Sequence, residues 1–473
     1  MKINREYIGA IVILLVFVFV AQFINKDGSK DLNVAKPPKG EAKSWISPDE
    51  EYLDYYGLDN FESELPIIHI NTNGQQIDKE TKIWSTLAVT EASSTNPRPV
   101  MDKPDYEMNI MINYRGASSY SQFDKKQYRI KFYKEEGSTN AKEYNFLGMG
   151  KNSEWVLNGP FLDKTLMRNK LVYGLAREIF EWAPDSRYVE LFVDGEYQGV
   201  YLALEPVTNG ESRLRLSEFG LASGQTAYVV KRDRVDTEIN PLFVYGYYAG
   251  KTNNSLYIDY PSNTDITEDQ RQWITNDIDT FEKVLYGDKF ADEYDGYAKY
   301  IDVDNFVDYF ILNEVVMNND ASNLSTYIYK ELGGKLKIAV WDYNNCYDNY
   351  QWFAQDYNEF FLQDNAWFSR LLEDRAFVER VVERYAELRS DILNEEYMYS
   401  KIDGHIEELG GAVERNYKVW GYTFLYDYLA ESNELHYSPT SYESAIKQLK
   451  GSIHARFIAL DENIEKLYEG CIN

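Results

Sequence analysis

Residues 318–323 read Asn318-Asn319-Asp320-Ala321-Ser322-Asn323, and residues 341–344 read Trp341-Asp342-Tyr343-Asn344. Between them lie two strand-like runs, Leu324 to Lys330 and Lys335 to Trp341, joined at Gly333-Gly334. Paired glycines permit the positive φ of a tight hairpin turn. A hairpin brings its ends together, so Asp320 and Asn323, ahead of the first strand, are expected beside Asp342, after the second. A helix from Asp304 to Met317 leads into the stretch; Asp302 or Asp304 can cap it, and Phe306, Phe310 and Met317 fall near one face. Two carboxylates and a carboxamide at the open end of a hairpin suit a hard divalent cation and a phosphate. The competing reading makes them ordinary loop residues, because Asp and Asn abound in turns.

Working outward, the chain of 473 residues is long enough for about two or three domains. Its formal charge of −28 counts against a nucleic-acid partner, which needs a basic surface. A polycationic partner and a merely solvated acidic surface are both compatible with that charge. Cys346 and Cys471 are the only cysteines, which excludes a disulfide scaffold and leaves one disulfide and two free thiols both open. His69, His405, His436 and His454 have no metal-ligand spacing, so neither a zinc site nor a histidine-based triad is expected.

Tyr7 to Ile24 is apolar apart from Gln22 and follows Lys2 and Arg5. That length just spans a bilayer as a helix, and the preceding charges favour a cytoplasmic N-terminus. No small-x-small cleavage site follows, so an uncleaved anchor is expected rather than a signal peptide. Residues 25–60, with Pro37-Pro38 and many Lys, Asp and Ser, read as a polar tether. Strand signals begin near Leu65 and continue through Ile83 to Thr90 and Met108 to Tyr114.

Next come Arg115-Gly116-Ala117-Ser118-Ser119 and the alternating run Tyr128, Ile130, Phe132. Period-2 parity puts Lys126 on the apolar face and Lys125 on the solvent face. A lysine so held, after a small-residue loop, can reach a nucleotide phosphate, or it can snorkel to water. Met167, Leu171, Leu175 and Ile179 recur every four residues, the stripe of a half-buried helix. Arg168 and Asn169 on it face either a cleft or solvent. Arg187 to Val193, Asp194-Gly195 and Glu196 to Leu204 form a hairpin that ends at Glu205-Pro206. Glu205 is then either a contact for an adenine amino group or ribose hydroxyl, or a surface charge. Strands are expected in residues 228–260, a helix-rich stretch from Thr267, and mainly helix from about Trp367 onward.

A small-residue loop, a lysine strand, a helix, a hairpin ending in glutamate, then Asp-x-x-Asn, a hairpin and a second Asp follow the order of parts in a protein kinase. The residues resemble the CotH kinase family, the spore-coat-protein-H-like proteins of bacteria. The resemblance rests on Arg115-Gly116-x-Ser118-Ser119, Lys125-Lys126-x-Tyr128-x-Ile130, Trp155-x-Leu157 with Asp163, Val193-Asp194-Gly195-x-Tyr197-x-Gly199-Val200-Tyr201 with Glu205, Asn318-x-Asp320-x-x-Asn323, and Trp341-Asp342-Tyr343-Asn344. It spans roughly residues 65–350.

The resemblance implies an α+β, atypical protein-kinase-like two-lobed fold with a mostly helical C-terminal extension, behind the N-terminal transmembrane helix. Boundaries follow at 1–6 (cytoplasmic stub), 7–24 (anchor), 25–60 (linker), 61–365 (kinase-like domain) and 366–473 (helical region). It implies ATP and Mg²⁺ as cofactors and Ser or Thr of a spore coat or cell-surface protein as acceptor, with the main domain outside the cytoplasm. Asp320 matches the catalytic Asp, Lys126 the phosphate-contacting lysine, and Asn323, Asp342 and Asn344 the metal positions. Arg115, Ser118, Lys125 and Glu205 complete the nucleotide contacts.

The chain departs from ordinary kinases in having Asn318-Asn319 before the catalytic Asp, an Asn three residues on rather than five, and Asp342-Tyr343-Asn344 for Asp-Phe-Gly. Many family members carry an acid where Asn344 stands, and no glutamate is evident to pair with Lys126. A membrane-anchored binding or structural protein that keeps the fold without catalysis is the alternative, and a phosphoester hydrolase a third.

Overall fold

A computed structural model describes residues 45–58, 61–233, 241–252, 255–349, 352–425 and 438–473. Seven strands close into a barrel: β1 (Ile67–Asn71), β2 (Ile83–Thr90), β3 (Tyr106–Arg115), β4 (Gln127–Tyr133), β5 (Glu154–Asn158), β6 (Ser186–Val193) and β7 (Glu196–Leu204). Their order is β6-β7-β5-β4-β3-β2-β1, antiparallel throughout except where β1 pairs with β6 in parallel and closes the ring. Closure leaves no strand edge unpaired. Alternate residues point inward, and Ile68, Ile70, Leu87, Val89, Ile110, Ile112, Ile130, Phe132, Trp155 and Leu157 fill the interior. The β6–β7 turn has φ of 51° at Asp194 and 90° at Gly195, the positive pair that a two-residue hairpin needs. A short helix, α2 (Ser118–Gln122), joins β3 to β4.

The outside of β1 is covered too. Helix α1 (Glu50–Tyr55), capped by the Asp49 side chain, buries Leu53, and with Leu58 it packs on Ile67, Phe192 and Tyr197. Residues 45–58 therefore fold against the barrel, although they fall in the stretch read as a tether. Average polarity over 25–60 hid the two leucines that anchor it. The expected anchor, residues 7–24, lies outside the described residues; among those described, no helix is long and apolar enough to cross a membrane.

Beyond the barrel, a second sheet runs β9-β10-β8-β11-β12, all antiparallel, from β8 (Tyr228–Asp233), β9 (Pro241–Leu242), β10 (Ser255–Tyr260), β11 (Thr326–Lys330) and β12 (Lys337–Ala339). Around it lie α3 (Arg168–Ile179), α4 (Glu268–Leu285), α5 (Val303–Val315), α6 (Ala366–Leu371), α7 (Arg375–Ser390), α8 (Glu395–Leu409), α9 (Ala412–Trp420) and α10 (Tyr442–Asn463). A capping box of Thr267 with Gln270 starts α4, and Asp302 caps α5 through the Asn305 N–H. One apolar cluster, with Leu171, Val230, Phe281, Phe310, Trp367 and Phe457, joins sheet and helices. The fold is α+β, with a mainly helical C-terminal region.

Helix α9 lies across β7: the Val200 N–H and the Trp420 indole cross-connect the two through Asn416 Oδ1 and the Gln198 carbonyl. Gly199 has φ of 89°, and a Cβ there would clash with Asn416 Oδ1, so glycine is what lets the helix approach. Cys346 is buried, Cys471 is half-buried, and both are free thiols.

Candidate functional site

The β11–β12 hairpin pairs Tyr327 with Ala339 and Ile328 with Ile338, turning at Gly333 with φ of 76°. At its open end Asp320 lies within electrostatic reach of Asp342. The Ser325 side chain bonds the Asp342 carboxylate, and the Asp320 charge acts on the same group. Ahead of the hairpin, the Asp320 carbonyl accepts the N–H groups of Asn323 (3.2 Å) and Leu324 (2.8 Å), which folds 320–324 into one tight turn. Asn318 Oδ1 accepts the Asp320 N–H (3.3 Å), and Arg232 on β8 donates to the Ser322 carbonyl (3.0 Å).

Helix α3 and the barrel rim hold the other side. The Asp342 N–H donates to the Tyr173 hydroxyl (3.0 Å), and the Tyr343 N–H to Asn169 Oδ1 (2.7 Å). Asn169 donates to Asn158 Oδ1 (3.3 Å), Asn158 to Gln127 Oε1 (3.1 Å), and Arg115 to the same Gln127 oxygen (2.9 Å). The Arg115 guanidinium also lies over the Trp341 ring, 5.3 Å from its centre. This chain of amides runs from the ends of β3, β4 and β5 to the backbone that carries Asp342. Arg168, buried, pairs with Asp163 at 2.6 Å and donates through Nε to the Cys346 carbonyl at 3.0 Å.

Burial pushes the Asp342 carboxyl up to about 6; Arg115 opposes the rise, and Asp320 and Asp233 add to it. Among the charges acting on Asp342, Arg115 is the strongest, ahead of Asp320 and Asp233. Its backbone is held at φ of 63°, and Met317, Ser322, Ser325, Tyr347 and Asp348 also have positive φ. Those six are half of the twelve non-glycine residues with positive φ among the described residues, concentrated in 317–348. Strained backbone gathers where surrounding contacts over-determine a site.

The charges of Asp320 and Arg115 act on Asp342, and Asn323 lies in the turn that Asp320 opens. Asn344 donates to Asn345 Oδ1 (3.3 Å), and its carbonyl accepts from Asn349 (2.8 Å). Ser118 opens α2, just after Gly116 with φ of 96°. The expected placement of the two lysines, Lys126 on the apolar face and Lys125 toward solvent, is reversed. Strand β4 begins at Gln127, so strand parity does not extend back to the lysines. Lys125 is the buried one: its ammonium donates to the Val200 carbonyl (2.7 Å) and Asn416 Oδ1 (2.8 Å), beneath the Tyr201 and Trp420 rings. Burial, with Lys164 nearby, holds it well below the usual lysine range. Lys126 donates to the carbonyls of Tyr120 (2.7 Å) and Phe123 (2.6 Å) in its own loop. Glu205 is not a surface charge; it is buried, ion-paired with Arg213, and accepts the Asp185 N–H at 2.9 Å.

Asn158, Gln127, Tyr173, Arg232 and Asp233 were missed from sequence, and of the two faces open to Asn169 the structure gives it the one toward the hairpin. One signal was available: Asn169 and Tyr173 lie four apart, so on a helix they share a face.

The oxygen donors at the hairpin fit Mg²⁺, which is commonly bound by one or two protein carboxylates together with substrate phosphates. Among the described residues, no group of three or more His, Cys, Asp or Glu side chains is arranged to hold a metal by itself.

Barrel, hairpin site and helical region together define an α+β protein with a carboxylate–carboxamide centre set between a barrel rim and a second sheet. A family model described as CotH kinase protein matches residues 112–458, and the chain belongs to that family. It is also similar to the inner spore coat protein H of Bacillus subtilis (strain 168), with 25% identity over 288 residues, 60% of this chain and 69% of the relative.

Proposed function

We propose that the chain is an ATP- and Mg²⁺-dependent atypical protein kinase that phosphorylates Ser or Thr of a spore coat or cell-surface protein. The observation that carries this reading is the Asp342 carboxylate, held on strained backbone by Tyr173 and Asn169 and set beside Asp320, Ser325 and Arg115. Family membership and the spore coat relative support the direction. Asp342 and Asn323 are the residues that would hold Mg²⁺, which when bound would neutralise phosphate charge. Arg115, braced by Gln127 and Trp341, would bind the nucleotide phosphates in place of the lysine first expected. Asp320 would orient the acceptor hydroxyl and take its proton. Phosphoryl transfer depends mainly on positioning and charge stabilisation, which a rigid, amide-linked rim is built to give.

Labelled ATP and a basic or coat-protein acceptor test it. Asp342→Ala is expected to abolish magnesium-dependent ATP binding, and Asp320→Ala to abolish transfer while melting like wild type. Transfer that survives both changes would sink the proposal. The neutral amide of Asn344, where many family members carry an acid, favours a second reading, a binding protein without catalysis. Thermal melting with Mg-ATP, with Ca²⁺ and with wall polysaccharide separates the two, because only the kinase reading expects a shift confined to Mg-ATP.

A further inference from the structure

Asn365 stands at the N-cap of α6, a place where asparagine ordinarily bonds its own helix, yet its side chain makes no capping bond. It reaches instead to the turn that carries Asp320 and Asn323. Asn365 Nδ2 donates to the carbonyls of Ala321 and Phe361, each at 3.0 Å. Its Oδ1 accepts from Asn323 Nδ2 at 2.6 Å.

These three bonds fix two amide orientations in sequence. Carbonyl oxygens only accept, so the end of Asn365 that meets two of them must be its NH₂. Its oxygen is thereby turned to Asn323, which must answer with its own NH₂. The Asn323 oxygen then points away from Asn365. For a side chain in the position assigned to a metal ligand this matters, because a hard cation takes oxygen and is repelled by an NH₂ group.

We infer that Asn365 is a positioning residue, which fixes the Asn323 carboxamide in the one flip that offers its oxygen to a divalent cation. The inference rests on the assignment of Asn323 under Proposed function. It also gives α6, which carries the core residue Trp367, a direct hold on the Asp320–Asn323 turn.

The test measures ATP affinity of the full chain, purified in detergent, as a function of Mg²⁺ concentration. Asn365→Ser keeps a good N-cap residue for α6 and removes the reach to Asn323. It is expected to raise the half-saturating Mg²⁺ about tenfold, the usual scale for losing a partner that orients a metal ligand. Asn323→Asp carries oxygen at both ends, so in that background Asn365→Ser is expected to shift Mg²⁺ dependence less than about twofold. A purely structural role would give the same penalty in both backgrounds, and that result overturns the inference. So does a wild-type Mg²⁺ dependence in Asn365→Ser when Asn323→Ala has lost it. If Asn323→Ala itself leaves Mg²⁺ dependence unchanged, the metal assignment fails first and the inference with it. Should the serine variant not fold, Asn365→Gly, also an accepted N-cap residue, decides by the same comparison: a shift of about tenfold confined to the Asn323 background supports the inference, and an equal shift in both backgrounds overturns it.

Discussion

Arg415→Met cuts the α9 helix from the barrel at its most costly point. Glu190, in the middle of β6, is fully buried, and Arg415 meets it with two parallel bonds, Nε to Oε1 at 2.8 Å and an NH₂ to Oε2 at 3.0 Å. Tyr197 and Ser63 hydroxyls also donate to this carboxylate, but neither brings a charge. Glu64 lies 3.4 Å from the same arginine on its more exposed side. Removing the cation leaves a buried carboxylate without a counter-charge, which costs about 3–5 kcal/mol. That is a large share of the 5–15 kcal/mol typical of a folded domain, roughly a fifth or more. Urea denaturation at pH 7, followed by tryptophan fluorescence and by circular dichroism, measures the loss. Adding Glu190→Gln removes the stranded charge, and the double variant is expected to recover about 2 kcal/mol of it, the coupling of two groups in contact. A loss below about 1 kcal/mol, or a double variant no better than the single, would refute the argument that this pair ties α9 to the barrel.

Burial lowers His69 from 6.5 to about 4, and neither of its ring nitrogens has a hydrogen-bond partner; it stacks on Phe192 instead. The neutral ring favours folding above pH 6.5, and that advantage is lost as pH falls toward 4, where the unfolded chain takes up the proton first. Over that window wild type is expected to lose about 3 kcal/mol relative to His69→Leu, read from urea midpoints at stepped pH. Gly199→Ala forces a Cβ against Asn416 at a φ that side chains avoid, so about 2–4 kcal/mol of stability should go, seen as a lowered melting temperature. Lys125→Met strands the Val200 carbonyl and leaves Asn416 Oδ1 with only the Val200 N–H, for about 1–3 kcal/mol, yet should leave the Mg-ATP affinity of the surviving folded protein unchanged. Arg115→Ala is expected to do the reverse, weakening Mg-ATP binding in calorimetry while the protein melts near the wild-type temperature.

The sequence by itself determined what neighbours along the chain decide. Two glycines and two strand-like runs predicted the β11–β12 hairpin, and a hairpin geometrically requires Asp320 and Asn323 to meet Asp342. Asp194-Gly195 did the same for β6–β7, and the four-residue apolar spacing found α3. Beyond that reach, the tertiary structure decided. Barrel closure joins β1 to β6 across the whole domain, which no local pattern encodes. Lys125 owes its burial to Asn416, 291 residues away, and Glu205 to an arginine that sequence gave no reason to pair with it. Parity failed at the lysines because it is a property of extended backbone, and β4 starts one residue too late for it to apply. Which cation stands over the hairpin carboxylates is a matter of which strand ends share a rim. The β3–β4 ladder pairs Arg115 with Gln127, and Gln127, Asn158 and Asn169 pass that hold on to the backbone of Asp342. The hairpin's open end is thus a local property of the chain, while the charge and strain that make it a candidate site come from elements brought to it by the fold.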